Sequence, residues 1–215
     1  MRRDLAGLSN ASCYFDNIVV FSKTWKEHLN HLNLVFNRLR QHGLTAGPSK
    51  CFFGFQEIKY LGYQLGNNSL QPIKSRVHDI ADLPLPTTKK GLRSFIGTLG
   101  YYSRFIPNFS TLSAPLNDRL KKKSSNTLTW NELQLNCFNE LKKCLLEYPI
   151  LMLPDINKDF YIRTDASNYA LGSVILQEHD GILKPVCYAG KKLNESELRY
   201  STIEKECYAI VWGYQ

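Results

Sequence analysis

The chain has 215 residues, of which 43% are hydrophobic and 12% aromatic, enough apolar material for one large core or two small ones, which excludes a disordered polypeptide. Its formal charge is +8 and the excess lies at the front, because residues 1–115 hold 14 Lys and Arg against 6 Asp and Glu while residues 161–215 hold 6 against 7. A basic front half favours a polyanionic partner, nucleic acid ahead of an anionic membrane surface, and no apolar run approaches the roughly 18 residues of a membrane span.

Taken in chain order, "CYFDNIVVF" places two β-rich runs around Asp16 and Asn17, a pair that tolerates the positive φ angles of a two-residue hairpin turn. From Thr24, a plausible N-cap, "TWKEHLNHLNLVFNRLRQHGL" puts Leu29, Leu32, Val35, Phe36 and Leu39 at helical spacing, with Gly43 just past the end. "CFFGFQEIKYLGYQLG" reads as further strands broken at Gly54, Gly62 and Gly66. Past "LQPIKS" the pattern turns helical, interrupted at Pro84 and Pro86, and the next helix, "TKKGLRSFIGTLGYYSRFI", carries Gly97 and Gly100. "LKKKSSNTLTW" has the composition of a linker. A helix in "NELQLNCFNELKKCLLEY" precedes three strand-like runs, "DFYIRTDAS", "ALGSVILQE" and "LKPVCYAGKKL", and a final helix begins in "STIEKECYAIVWGYQ". Six cysteines, at 13, 51, 137, 144, 187 and 207, form no C-x-x-C pair, and Met1 opens no signal-peptide pattern. A soluble intracellular protein with reduced thiols is the expectation, with cytoplasmic particle and nucleus not distinguished.

Four stretches together carry a resemblance: "YFDNIVVFSKTWKEHLNHLNLVFNRL", "GLTAGPSKCFFGFQEIKYLGYQLG", "LRSFIGTLGYYSRFIPNFSTLSAPL" and "FYIRTDASNYALGSVILQE". In this order they resemble the polymerase polyprotein of gypsy-type LTR retrotransposons, from the late palm of the reverse transcriptase through its thumb into the ribonuclease H domain. The resemblance implies an α+β chain: a partial palm with a primer-grip-like hairpin over residues 1–70, a helical thumb over 71–120, a linker and tether helix over 121–158, and a truncated ribonuclease H-like α/β domain over 159–215.

It also implies site residues. In the family's Tyr-x-Asp-Asp turn, Tyr14 and Asp16 match and Asn17 departs, offering a neutral carbonyl where a carboxylate would hold a divalent metal. "YLGYQLG" resembles the strand hairpin that grips a primer backbone, through Leu61, Gly62 and Tyr63, although Gly62 and Gly66 could equally just permit strand bends. Arg93, Gly97 and Arg104 on the thumb-like helix could track a duplex groove, with close helix packing the competing account of Gly97 and Gly100. Asp165 in "TDAS" resembles the first metal ligand of ribonuclease H, and the resemblance selects Glu206 over Glu204 as the next. Periodicity alone leaves the two glutamates tied on either side of an expected buried stripe of Ile203, Cys207, Ile210 and Val211. Asp16, Asp165 and Glu206 are thereby the expected Mg²⁺ ligands and catalytic residues. The expected partners are an RNA/DNA hybrid or a DNA/RNA template–primer and the rest of the polyprotein, with no membrane. A fragment of a polymerase and ribonuclease H that is inactive alone, or a non-catalytic nucleic-acid-binding protein derived from a retroelement, are the two functions left open.

Overall fold

The computed structural model describes residue 5, residues 7–121 and residues 125–215, in two units, Met1–Tyr60 and Leu61–Gln215. Lys122, Lys123 and Ser124 of the expected linker lie outside the described residues.

In the first unit, strands β1 (Ala11–Tyr14) and β2 (Asn17–Val20) pair antiparallel with Tyr14 opposite Asn17, so the turn is Phe15–Asp16 and not Asp16–Asn17. Phe15 takes the left-handed conformation, φ 54°, and Asn17 is already strand. The pairs Ala11–Val20 and Cys13–Ile18 share one face of the ribbon. That face meets Val35 and Leu39 of helix α1 (Trp25–Gln41), together with Leu5, Leu8 and Leu44. The helix starts where expected: the Thr24 hydroxyl accepts from the Glu27 amide and the Glu27 carboxylate accepts from the Thr24 amide, a reciprocal box that satisfies two end groups. Leu29 and Phe36, expected inside, are 48% and 40% exposed, because a two-stranded ribbon is too narrow to cover the whole apolar face. Strand β3 (Glu57–Tyr60) ends the unit.

The second unit opens with β4 (Tyr63–Gly66) and β5 (Ser69–Pro72), an antiparallel hairpin joined by Asn67 and Asn68 at φ 50° and 54°. Two left-handed residues make the turn whose twist matches the strands, and asparagine tolerates that conformation. Helices α2 (Lys74–Ala81), α3 (Lys89–Tyr101), α4 (Phe109–Asp118) and α5 (Glu132–Leu146) follow, and β6 (Leu151–Met152) returns to pair with β5. Their core is Val77 and Ile80 of α2, Leu92, Phe95 and Leu99 of α3, Leu116 of α4, and Phe138, Leu141 and Leu145 of α5, with Phe105, Ile106 and Leu151. The expected linker is no free tether from Asn126 on: Leu128 is buried, its amide bonds to the Thr87 carbonyl at 2.9 Å, and the Trp130 indole donates to the Pro86 carbonyl at 2.9 Å.

Three antiparallel strands complete the unit in the order β7 (Phe160–Ala166), β8 (Ala170–His179), β9 (Ile182–Lys192). One face takes helix α6 (Thr202–Tyr214) through Leu171, Leu193 and Ala209. On the other face a methyl on Gly190 would stand 2.7 Å from the Ser110 hydroxyl and 3.1 Å from its Cβ, so α4 lies hard against β9. The expected buried stripe of α6 is reversed. Ile203, Ile210 and Val211 are 77%, 62% and 55% exposed and Cys207 is exposed, while Lys205 and Ala209 are buried. Small residues decided the face: Ala209 and Gly213, one turn apart, let the helix come so near that a Gly213 methyl would meet Thr164 Cγ2 at 2.8 Å. A half-buried ion pair pins the same helix. Lys191 Nζ lies 2.8 Å from Glu197 Oε1, which also accepts from the Tyr208 hydroxyl at 2.9 Å, while Glu197 Oε2 accepts from the Asn194 amide at 2.8 Å.

Two stability predictions follow from these contacts. Gly190→Ala should cost about 1–3 kcal/mol in urea unfolding, the range for overpacking, with partial recovery in Gly190→Ala/Ser110→Ala, since only the hydroxyl and not the Ser110 Cβ is removed. The Lys191 hydrogen bond and the Asn194 amide hold the Glu197 carboxyl below its ordinary range, so its contribution is complete above pH ~4.3 and is lost as pH falls through the lower folded value. Bonds to Glu197 and Tyr208 raise Lys191, whose contribution is complete below pH ~10.4 and is lost as pH rises through its higher folded value. Glu197→Gln should therefore flatten the acid limb of a stability–pH profile; an unchanged acid limb would contradict the assignment.

Candidate nucleic-acid interface and acidic residues

Three groups of expected site residues can be located, one in the first unit and two in the second. The hairpin tip carries Tyr14, 54% exposed and edge-on to Phe15 at 4.9 Å, and the exposed Asp16, whose Oδ1 accepts from the Asn17 side-chain amide at 3.5 Å. The Asn17 carbonyl accepts from the Tyr60 hydroxyl at 3.5 Å. One carboxylate and one carboxamide stand at this tip.

In the second unit, Leu61 and Gly62 form a turn with φ 46° and 76°. The Tyr101 hydroxyl donates to the Leu61 carbonyl, the Tyr102 hydroxyl to the Gly62 carbonyl at 3.3 Å, and the Tyr63 hydroxyl to the Tyr101 carbonyl at 2.9 Å. The Tyr63 and Tyr101 rings stack at 5.1 Å and 12°, and the Arg104 guanidinium sits 5.9 Å from the centre of the Tyr63 ring. Burial first, and then the bond to Tyr101, pushes the Tyr63 hydroxyl far above the ordinary tyrosine range, so it stays a donor. Helix α3 turns Leu92, Phe95 and Leu99 inward, which leaves Arg93, Gly97 and Tyr101, at four-residue steps, in an outward row. A methyl on Gly97 or Gly100 would meet nothing within 4 Å, so close helix packing is not what these glycines serve. The structure thus brings Leu61, Gly62, Tyr63 and Arg104 together and puts Arg93 and Gly97 on the same helix that anchors them. Tyr101 and Tyr102 were missed as organisers; their only sequence signal was a tyrosine pair placed one helical turn after Gly97.

Asp165 pairs with Gly172 near the end of β7 and is exposed, and among the described residues its carboxylate meets no hydrogen-bond donor or cation. The preceding pair, Thr164 and Ser173, faces Gly213 of α6, so strand alternation turns Asp165 to the other face. On α6, Glu204 is occupied by the helix cap: its Oε2 accepts from the Ser201 amide at 2.7 Å, which lowers its carboxyl, and its own amide donates to the Ser201 hydroxyl. Glu206 is half-buried, and among the described residues its carboxylate makes no such bond. Among the described residues, no group of three or more His, Cys, Asp or Glu side chains gathers into a metal cluster. The donors are hard oxygens, right in kind for Mg²⁺ and too few at each place for a complete set.

Comparison with known proteins gives these positions a context. A profile described as "Reverse transcriptase (RNA-dependent DNA polymerase)" matches residues 2–65, and one described as "RNase H-like domain found in reverse transcriptase" matches residues 130–215. The chain is 39% identical over 216 residues to the retrovirus-related Pol polyprotein from transposon 297 of Drosophila melanogaster, covering 99% of this chain and 20% of that protein. It is 34% identical over 204 residues to the transposon Tf2-7 polyprotein of Schizosaccharomyces pombe, covering 94% of this chain and 15% of that one. The chain therefore spans a fifth or less of the length of these two relatives. In fold it is similar to the foamy viral protease-reverse transcriptase dRH in complex with double-stranded DNA, TM-score 0.84 at 24% identity, over 97% of this chain and 36% of that one. The foamy viral protease-reverse transcriptase in complex with RNA/DNA hybrid gives 0.83 at 24%, over 99% and 29%. With a reverse transcriptase match over residues 2–65 and an RNase H-like match over residues 130–215, the chain is similar along nearly its whole length to the reverse transcriptase and RNase H-like region of retrotransposon Pol polyproteins.

Proposed function

We propose that the chain is the nucleic-acid-holding part of a retroelement polymerase, gripping an RNA/DNA hybrid or a DNA/RNA template–primer, while nucleotidyl transfer and hybrid hydrolysis require the longer polyprotein. The observation that carries this reading is the outward row of α3, where Arg93 and the open backbone at Gly97 adjoin Tyr101, whose hydroxyl bonds the Leu61–Gly62 turn. Arginine supplies phosphate contacts and a bare glycine lets a groove wall approach main chain, a combination suited to shape and backbone recognition of a duplex. The proposed division is palm-like over 1–70, thumb-like over 71–120, tether over 121–158 and ribonuclease H-like over 159–215.

Asp16, Asp165 and Glu206 are the proposed catalytic carboxylates, and would be the ones to hold Mg²⁺, which supplies Lewis-acid activation of a hydroxyl or water when bound. Asn17 removes one negative charge from the hairpin tip, and each candidate group is short of ligands, so no catalytic step is assigned to this chain alone. Asn17 is also the observation that favours a second reading, a non-catalytic nucleic-acid-binding protein of retroelement origin. Primer extension on a poly-rA template with Mg²⁺ or Mn²⁺ bears on both. No templated synthesis is expected from the wild type or from Asn17→Asp, and incorporation above a no-enzyme control by the wild type would refute the proposal of inactivity alone.

Binding itself should be largely independent of sequence and steeply salt-dependent, because counterion release from phosphates drives it, and it should map to residues 1–115. By fluorescence anisotropy with an RNA/DNA hybrid between roughly 50 and 200 mM salt, Arg93→Ala and Arg104→Ala should each lower the log–log salt slope by about 0.9. Gly97→Ala separates the interface from stability: it should stabilise α3 by about 0.5–1 kcal/mol, as alanine for an exposed helical glycine, and yet weaken hybrid binding. A more stable variant with undiminished affinity would remove Gly97 from the interface.

A further inference from the structure

The turn Leu61–Gly62 is a conformation that needs holding. Leu61 is a branched aliphatic residue at φ 46°, a region that L side chains enter at a cost, and the turn's two carbonyls would be free to relax in isolation. Two neighbouring hydroxyls fix them: Tyr101 donates to the Leu61 carbonyl and Tyr102 to the Gly62 carbonyl. The tie is reciprocal, since Tyr63, the residue after the turn, donates back to the Tyr101 carbonyl at 2.9 Å while the two rings stack. Space closes the arrangement. A methyl on Gly62 would come within 3.2 Å of the Tyr101 hydroxyl and 3.3 Å of its Cε1.

We propose that Tyr101 is a positioning residue, whose hydroxyl locks the Leu61–Gly62 turn to the outward row of α3 so that a nucleic-acid duplex meets turn and helix as one preorganised surface. The inference rests on the nucleic-acid-binding reading above. Tyr101 is suited to both sides of this role: it follows Arg93 and Gly97 in the same row, its ring is half-exposed, and its hydroxyl is committed to the turn. Tyr102 is 2% exposed and faces the core, which leaves it a lesser tie. The consequence is entropic. A turn already fixed in its bound conformation has little ordering left to lose when a duplex arrives, and that raises affinity without adding a contact.

The test is Tyr101→Phe, which removes one hydrogen bond and keeps the stacked ring. Amide exchange at residues 61–63 should accelerate about tenfold, as expected for a lost hydrogen bond holding a local opening, while α5 exchanges as before. RNA/DNA hybrid affinity, read at a temperature where the protein is fully folded, should fall roughly five- to tenfold with an unchanged salt slope, because no cation is removed. Leu141→Val, a core variant that lowers the melting temperature, is the control for stability alone and should leave affinity unchanged. Salt-sensitive binding by the wild type with equal affinity in Tyr101→Phe overturns the positioning role and leaves the binding reading standing. Unchanged exchange at the turn overturns the lock. Absence of salt-sensitive hybrid binding by the wild type overturns the binding reading, and the inference with it.

Discussion

The burial of one face of α3 against α5 is the constraint on which the second unit depends. Phe95 and Phe138 meet at 4.5 Å between ring centres, and Leu92, Leu99, Leu141 and Leu145 are fully excluded from water. A helix with 3.6 residues per turn has no freedom left once three positions of one face are buried. Arg93, Gly97 and Tyr101 must then point outward. The same burial continues past the helix end through Tyr102, Phe105 and Ile106, which leaves Arg104 in solvent beside Tyr63. The candidate interface is thus the complement of the core.

Elements whose signal is local were legible in the sequence. Thr24 with Glu27 gave α1 its start, and the alternation around Asp16 gave a hairpin, because a cap and a turn are settled within four residues. The exact turn was not, since a phenylalanine at positive φ has no sequence signature. Strands β5 and β6 were missed for a different reason: β6 is only two residues long and becomes a strand by pairing with β5, about 80 residues earlier in the chain. The Asn67–Asn68 pair was the one available sign of that hairpin. On α6 the apolar pattern pointed to the wrong face. Two small residues one turn apart outweighed four larger apolar ones, since they alone allow the helix backbone to approach the sheet, and Lys205 could bury its stem and Tyr208 bond Lys191 and Glu197.

The candidate acids show how position and ligand number separate. Asp16 and Asp165 both stand exposed, one at a hairpin tip and the other near a strand end, where solvent and a cation have access. Neither has the neighbours that would make it a strong site. Glu204 and Glu206, equivalent by periodicity, are told apart by chemistry: one carboxylate is spent on the Ser201 amide of the helix cap and the other is not. The cap was readable beforehand as Ser201 followed three residues later by Glu204, a pattern that bears on the choice between the glutamates as directly as any resemblance.

Backbone strain links the two candidate turns. Among the described non-glycine residues at positive φ, Asn67, Asn68, Asn108 and Asp180 are of the kinds whose short polar side chains tolerate it, whereas Phe15 and Leu61 are not. Those two bulky residues sit immediately before Asp16 and Gly62. At each turn the conformation carries a cost that a glycine or asparagine would largely avoid, and the fold sustains it by pairing the flanking strand residues at the first and by the tyrosine hydroxyls at the second. The turn at Leu61 sets its main chain next to the outward row of α3, and the turn at Phe15 sets Asp16 at the tip of its ribbon. A glycine or asparagine at either position would relax the backbone, so at these two turns the conformation is sustained by the surrounding contacts and not by the residue's own preference.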